Sequence, residues 1–219
     1  MINRTRPDIP QSLRRNSSKW RRKLLEQVSI SKRTGKKVPD RYLSKYKKND
    51  VKLALAAMYE NLCCYCDSLI GIVDFPHIEH RKPKDPGLFP EAAFDWDNLH
   101  LACTRCNNAK SNKWNRAYPS LDAVTDIPIT HHLDYYLDGT CVDKTRRGKT
   151  TRDHADLDRH ELVEARINIA TRVLQVIEEI NMRREGWRVE KAKRELAAMS
   201  KGQYGAFIDY LKRAFPLND

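Results

Sequence analysis

Four cysteines in two close pairs constrain the fold of this chain more than any other feature. Cys63 and Cys66 form one C-x-x-C pair, and Cys103 and Cys106 form a second. The tight turn within such a pair brings two thiolates together, and two pairs can surround one tetrahedral zinc ion with Zn–S bonds of about 2.3 Å. The spacing therefore predicts a structural zinc site that closes residues 67–102 into a loop.

The two remaining cysteines fit this site less well. Cys64 could replace a zinc ligand only by breaking the two-residue gap, so we interpret it as a free thiol, either buried or exposed. Cys141 stands alone in the sequence and is expected in the core.

Hydropathy predicts a protein that does not enter a membrane. The chain has 219 residues and contains no apolar run near the roughly 20 residues that a membrane-spanning helix needs. Its first ten residues, MINRTRPDIP, lack the apolar segment of a signal peptide. We therefore expect a cytoplasmic protein, and in that reducing compartment clustered cysteines indicate metal binding rather than disulfides.

The positive charge is concentrated at the N-terminus. Residues 1–50 contain 16 Lys and Arg against four acidic residues, which accounts for the whole formal net charge of +12. A basic segment ahead of a neutral body is typical of proteins that bind nucleic acid, because phosphate contacts release counterions. The alternatives are a solvated segment that aids solubility and a surface that meets an acidic protein partner.

Apolar periodicity predicts an α+β fold that is mostly helical. We expect a basic N-terminal arm with one short helix over 17–32, behind a Ser cap, and a helix over 50–62 with Asp50 as its N-cap. Three domains are predicted: the arm (1–49), a core with the four-cysteine zinc site (50–125), and a C-terminal region (126–219) that could bind a partner.

The C-terminal region shows a different pattern from the core. We predict a hairpin over 131–143 that turns at Asp138–Gly139, followed by a basic turn over 144–151. Helical spacing of apolar residues continues over 161–184, and two further helices are expected at about 187–200 and 204–214.

Four polar residues between and beside the cysteine pairs could form a second metal site. Glu79 and His80 follow an apolar run that resembles a strand, Asn98 precedes the second pair, and Asn107 directly follows it. Oxygens of Glu79 and Asn107 suit Mg²⁺ or Mn²⁺, and a neutral imidazole can take a proton from water. Taken singly, each residue has a structural explanation.

Together and in this order, these residues resemble the HNH endonucleases of the ββα-metal class. The resemblance covers residues 63–113 through C-x-x-C, E-H-x-x-P-K, W-x-N-L and C-x-x-C-N-x-x-K. It implies a zinc-stabilised ββα-metal nuclease core in which His80 is the general base and Asn98 orients that base. It also implies that Glu79 and Asn107 bind the catalytic cation.

Three neighbouring residues have further candidate roles within this resemblance. Lys84 and Lys110 are candidates for phosphate contacts. His77 is either an additional ligand or an ordinary strand residue, and we favour the latter.

Motifs after residue 50 extend the resemblance to the PtuB-like HNH subunits of Septu-type antiphage systems, which also occur beside some retrons. These motifs are LACTRCNNAKSNKW, the hairpin with DGT, RGKTT and L-x-R-x-x-L-V-E-A-R. The resemblance implies a DNA or RNA substrate, an ABC/SMC-like (PtuA-like) ATPase partner and, in some systems, a retron reverse transcriptase complex. Arg81 departs from the pattern, since an aromatic residue is more usual there.

Two alternatives remain at this stage. One is a standalone or restriction-associated HNH nuclease. The other is a zinc-knuckle adaptor that binds nucleic acid without chemistry; such an adaptor would need the zinc and the charge but not the catalytic residues.

Overall fold

A computed structural model describes residues 1–71, 75–182 and 186–217. Within these ranges the chain is mostly helical with two small antiparallel sheets, which confirms the predicted α+β class. The helices are α1 (Gln11–Thr34), α2 (Asp40–Leu43), α3 (Asn49–Tyr59), α4 (Thr104–Lys110), α5 (Arg146–Ala155), α6 (His160–Met182), α7 (Trp187–Lys201) and α8 (Gly205–Ala214). The strands are β1 (His77–His80), β2 (Leu99–Ala102), β3 (Leu133–Tyr135) and β4 (Cys141–Asp143).

Helix α1 is much longer than the short helix predicted for the arm. It begins directly after Pro10, without a Ser cap, and it ends at Gly35, whose φ of 69° is the left-handed conformation that glycine adopts readily. Leu13, Leu24 and Val28 are buried along one face. The N-terminal segment is therefore packed onto the body of the protein rather than extended as a free arm.

Polar contacts fix this segment to the core. The Arg6 guanidinium donates to the carbonyl oxygens of Trp96 at 2.7 Å and Leu99 at 3.0 Å, and Arg21 forms an ion pair with Asp95. Some of the positively charged N-terminal side chains therefore bind other groups of the same chain.

Helix α3 buries the predicted apolar face, but its start differs from the prediction. Val51, Leu55 and Met58 are buried as expected. Asp50 is not the N-cap, because its carboxylate instead accepts hydrogen bonds from the backbone N and Oγ of Ser12, both at 2.8 Å. Asp50 therefore joins α3 to α1.

The segment between the cysteine pairs forms an antiparallel ββ unit followed by a helix. Strand β1 pairs with β2 in a register that places His80 opposite Leu99 and Glu79 opposite His100. Helix α4 then begins at Thr104, and its N-cap is Cys103, whose side chain accepts from the backbone N of Cys106. The first part of the predicted strand, residues 73–74, lies outside the described residues.

The C-terminal region agrees with the prediction except at the basic turn. The hairpin β3–β4 forms across Asp138–Gly139, and α7 and α8 occupy the two predicted helical stretches. Residues predicted as a basic turn instead begin helix α5, because the Thr145 side chain caps it by accepting from the backbone N of Gly148. The predicted end of the long helix, residues 183–184, falls outside the described residues.

The boundaries of the three predicted domains stay a prediction. The domains themselves make contacts with one another. Tyr204, at the start of α8, donates its backbone N–H to the carbonyl oxygen of Asp67 beside the first cysteine pair. Among the described residues, none of the helices has the length and apolar character needed to span a membrane.

Candidate active site and metal centre

The four predicted zinc ligands converge. The Sγ atoms of Cys63, Cys66, Cys103 and Cys106 all lie within 4.8 Å of one another, and all four residues are buried. The Cys66 and Cys103 sulfurs are 3.9 Å apart. A tetrahedral zinc with Zn–S bonds of about 2.3 Å requires sulfurs about 3.8 Å apart, so the cluster has the size and donor chemistry of a zinc site with four cysteine ligands.

An arginine from outside the cysteine unit donates hydrogen bonds to this cluster. Arg159, just before α6, donates from Nη1 to Cys106 Sγ at 3.5 Å and from Nη2 to Cys66 Sγ at 3.8 Å. Four thiolates around Zn²⁺ carry an excess of negative charge, and the guanidinium offsets part of it. Arg159 belongs to the L-x-R-x-x-L-V-E-A-R motif, but its contact with the cysteines could not be predicted. The two cysteines lie more than 50 positions away, and nothing in the local pattern links the arginine to them.

The two additional cysteines lie outside the cluster. Cys64 and Cys141 are both buried. The backbone N–H of Cys64 donates to the carbonyl oxygen of Leu101 at 2.8 Å, which ties the first cysteine turn to β2.

A cleft of about 330 Å³ lies between β1 and α4. Glu79, His80, Lys84 and Asn107, four of the residues predicted for catalysis and phosphate contact, line it together. The remaining lining residues are Ile78, Pro83, Asn108, Ser111 and Asn112.

The His80 imidazole is held in one orientation. Its Nε2 lies 3.0 Å from the carbonyl oxygen of Ala93, which can only accept, so Nε2 carries the proton and Nδ1 is the basic nitrogen. Burial and the positive charge of Lys84 lower the pKa of His80 to about 3. The imidazole is therefore neutral at physiological pH, as a general base must be.

Tyr46 packs against His80 from the segment before α3. The two rings meet edge-to-face with centroids 4.5 Å apart, and Tyr46 is buried. Sequence analysis did not identify Tyr46, since it lies in a basic turn with no motif around it.

Asn98 lies behind the cleft rather than in it. Its Oδ1 accepts from the backbone N of Lys82 at 2.7 Å, and its Nδ2 donates to the carbonyl oxygens of Lys82 at 3.0 Å and Ala92 at 3.1 Å. These bonds join the segment that follows His80 to the segment that carries Ala93, the hydrogen-bond partner of His80. Asn98 contacts the base only through this backbone.

The position of Lys110 contradicts its predicted contact with phosphate. Its side chain has no exposed surface, and Nζ lies 2.7 Å from Glu79 Oε1 and 2.9 Å from the carbonyl oxygen of His80. Tyr65 also donates to Glu79 Oε1, at 3.2 Å. Lys110 is thus an internal counter-ion of Glu79, and burial raises the pKa of the Glu79 carboxyl despite this pairing.

His77 occupies the place that the sequence favoured. It is the first residue of β1, and its Nε2 lies 3.1 Å from Thr104 Oγ1. It does not line the cleft.

Comparison with known proteins agrees with this geometry. The family model described as HNH endonuclease matches residues 63–113, the segment that holds the cysteine cluster, the ββ unit and α4. Residues 63–113 therefore correspond to an HNH endonuclease domain.

Two curated relatives point to a more particular group. The chain is 29% identical to the Septu protein PtuB of Bacillus thuringiensis over 184 residues, which cover 82% of this chain and 64% of that protein. It is also 29% identical to the Septu protein PtuB of Bacillus mycoides (strain KBAB4), over 57% of this chain and 52% of the relative. The chain thus spans less than two thirds of the length of either relative.

Proposed function

We propose that this protein is a metal-dependent endonuclease that hydrolyses phosphodiester bonds in DNA or RNA. The observation that carries the proposal is the cleft in which Glu79, His80, Lys84 and Asn107 meet. A carboxylate, a neutral imidazole, an ammonium and an amide around one cleft are the groups that metal-assisted phosphodiester hydrolysis needs.

The donor atoms in the cleft fit a hard divalent cation. Glu79 and Asn107 offer carboxylate and amide oxygens, which suit Mg²⁺ or Mn²⁺ better than a soft metal. The bound cation would neutralise charge on the scissile phosphate and on the leaving oxygen. The buried thiols of the cysteine cluster suit Zn²⁺ in a structural role.

The protein's own groups perform the remaining tasks. His80 Nδ1 takes a proton from the attacking water, while the bond from Nε2 to Ala93 holds the ring in place. Asn98 keeps the two supporting segments together. Lys84, which is half-buried at the edge of the cleft, supplies positive charge to the phosphate.

We further propose that the protein is the nuclease subunit of a Septu-type antiphage system. The similarity to two Septu PtuB proteins supports this role. The proposal includes an ABC/SMC-like (PtuA-like) ATPase as partner, a retron reverse transcriptase complex in systems that contain one, and a cytoplasmic location. Copurification with the product of a neighbouring ATPase gene would distinguish this role from a standalone or restriction-associated nuclease.

Cleavage of plasmid DNA and total RNA in Mn²⁺, with and without that neighbouring protein, tests the activity. We expect His80→Ala to abolish cleavage while retaining zinc and the folded state. His77→Ala is the matched control, since His77 lies on the same strand but outside the cleft. An active His80→Ala variant would contradict the assignment, and nucleic-acid binding with no cleavage by the wild-type protein would favour the adaptor alternative.

A further inference from the structure

The active-site cleft continues beyond the HNH domain. A second cavity of about 470 Å³ shares Lys84 and Asn112 with the cleft and is also lined by Tyr46 and Lys47. A third, of about 580 Å³, shares Lys47 with the second. Linked by these shared residues, the three cavities define a path that leads from His80 toward the first residues of α1 and α3.

The far end of this path is basic and polar. Arg15, Lys47 and Lys48 line the third cavity, together with Gln11, Ser12, Asn16, Asn49 and Asp50. All three basic side chains are exposed, and none forms an ion pair within the described parts of the chain. They differ in this respect from Arg6 and Arg21, whose charges bind groups of the core.

The carboxylates along the path offset this charge only in part. Asp50 already accepts two hydrogen bonds from Ser12. Asp85, in the middle cavity, accepts from the backbone N of Gly87 at 2.8 Å and from Asn112 Nδ2 at 3.1 Å. Asp40 also lines the middle cavity. The surplus of positive charge along the path therefore lies on either side of the middle cavity.

Side-chain contacts link the path to the His80 ring. Tyr46, the residue before Lys47, is buried against the His80 ring, and Lys84 Nζ lies 5.3 Å from the centroid of the Tyr46 ring. On the other side, Lys48 Nζ lies 5.8 Å from the centroid of the Trp20 ring of α1. These contacts place the backbone of Lys47 and Lys48 next to the residues that pack on His80.

The electrostatics of Lys84 agree with an anion site along the path. Burial lowers the pKa of Lys84, and the nearby charge of Lys47 lowers it further. Lys47 and Lys84 line the same cavity and their charges repel each other, so an anion bound there would relieve the repulsion.

We propose that Arg15, Lys47 and Lys48 form a phosphate-binding track that holds the backbone of a nucleic-acid strand on one side of the scissile bond. The inference rests on the proposed nuclease function, which it extends to residues outside the HNH domain. Continuity with the cleft favours nucleic acid over an acidic protein, because a polyanion on the track runs directly to His80. The lining is also polar rather than apolar, as sequence-independent backbone binding requires.

Salt-dependent binding tests the track. The test variant combines Arg15→Gln, Lys47→Gln and Lys48→Gln with His80→Ala, which keeps the bound nucleic acid intact. Its binding to labelled single-stranded and duplex DNA and RNA is measured over a range of salt concentrations. Each lost phosphate contact reduces the slope of log K against log salt by about 0.7 to 0.9. We expect the triple variant to lower the slope by about 2 and to weaken binding at least about tenfold at low salt.

The control triple carries the same change in charge elsewhere. Lys191→Gln, Arg194→Gln and Lys201→Gln lie on α7, are exposed, and should leave the slope unchanged. Zinc content and the unfolding midpoint of each variant establish that it is folded. An unchanged slope in the track variant, or an equal loss in both triples, would overturn the proposal.

Cleavage by the wild-type protein is scored separately from this binding measurement. A wild-type protein that cleaves, together with a track variant of unchanged slope, rejects the track and leaves the nuclease assignment intact. A wild-type protein that binds through the track but cuts no substrate rejects the nuclease assignment instead.

Discussion

Lys110 Nζ lies 2.7 Å from Glu79 Oε1, with both side chains buried in the core of the nuclease domain. The ammonium also donates to the carbonyl oxygen of His80, so a single buried cation binds both residues of the E-H pair. Lys110 is therefore a structural support for the two β1 residues that line the candidate cleft.

Removal of Lys110 should therefore destabilise the protein strongly. Lys110→Met leaves the Glu79 carboxylate buried without a counter-ion, and we expect a loss of about 3 to 5 kcal/mol in the free energy of unfolding at constant zinc concentration. Lys113→Met, one turn away and exposed, should change it little. Addition of Glu79→Gln to Lys110→Met should recover part of the loss. Urea denaturation gives the free energy of unfolding of the wild type, the two single variants and this double variant. Equal stability of the Lys110 and Lys113 variants would contradict the buried ion pair.

Asn98 should affect cleavage through position rather than through contact with substrate. Asn98→Ala removes three hydrogen bonds to backbone groups of Lys82 and Ala92, and we expect a stability loss of about 1 to 3 kcal/mol. The turnover rate should fall while nucleic-acid affinity stays near that of the wild type.

Asn98→Asp provides a matched comparison. It retains the acceptor for the Lys82 N–H but loses both donated bonds, so it should remain impaired. Wild-type turnover in both variants would show that the segment around His80 does not depend on Asn98.

Arg159 should control zinc retention. Arg159→Gln removes the guanidinium that donates to Cys66 and Cys106, and loss of such a supporting contact typically lowers metal affinity about 10- to 100-fold. Competition with a chromogenic chelator measures the affinity. Arg105→Gln is the control, because Arg105 is exposed near the cluster and its ion pair is with Glu161. The same zinc affinity in both variants would refute this role.

The adjacent cysteines Cys64 and Cys66 should behave differently. Cys66→Ser removes one of the four clustered thiols, so the protein should lose stoichiometric zinc and unfold at a lower temperature. Cys64→Ser should keep its zinc, since Cys64 lies outside the cluster. Metal analysis and thermal unfolding, with and without a chelator, distinguish the two. Zinc loss in the Cys64 variant with retention in the Cys66 variant would reverse the assignment.

The sequence by itself was enough to predict the four clustered cysteines and four residues that line the cleft, but it also predicted Asn98 and Lys110, which do not line it. Within each C-x-x-C pair the spacing reflects local geometry, because a tight turn brings the two thiols together, whereas the meeting of the two pairs follows from the recognisable order of motifs along the chain. Apolar periodicity likewise located the main helices, since it reports the face that each helix buries.

Only the tertiary structure decided what lies behind and beside these residues. Lys110 is a buried counter-ion, Tyr46 packs on His80, Asp50 binds Ser12 rather than capping its own helix, and Arg159 reaches the cysteine cluster. Each depends on a contact between residues far apart in the chain. The same lysine can be a surface cation or an internal ion-pair partner, and only the packing around it determines which.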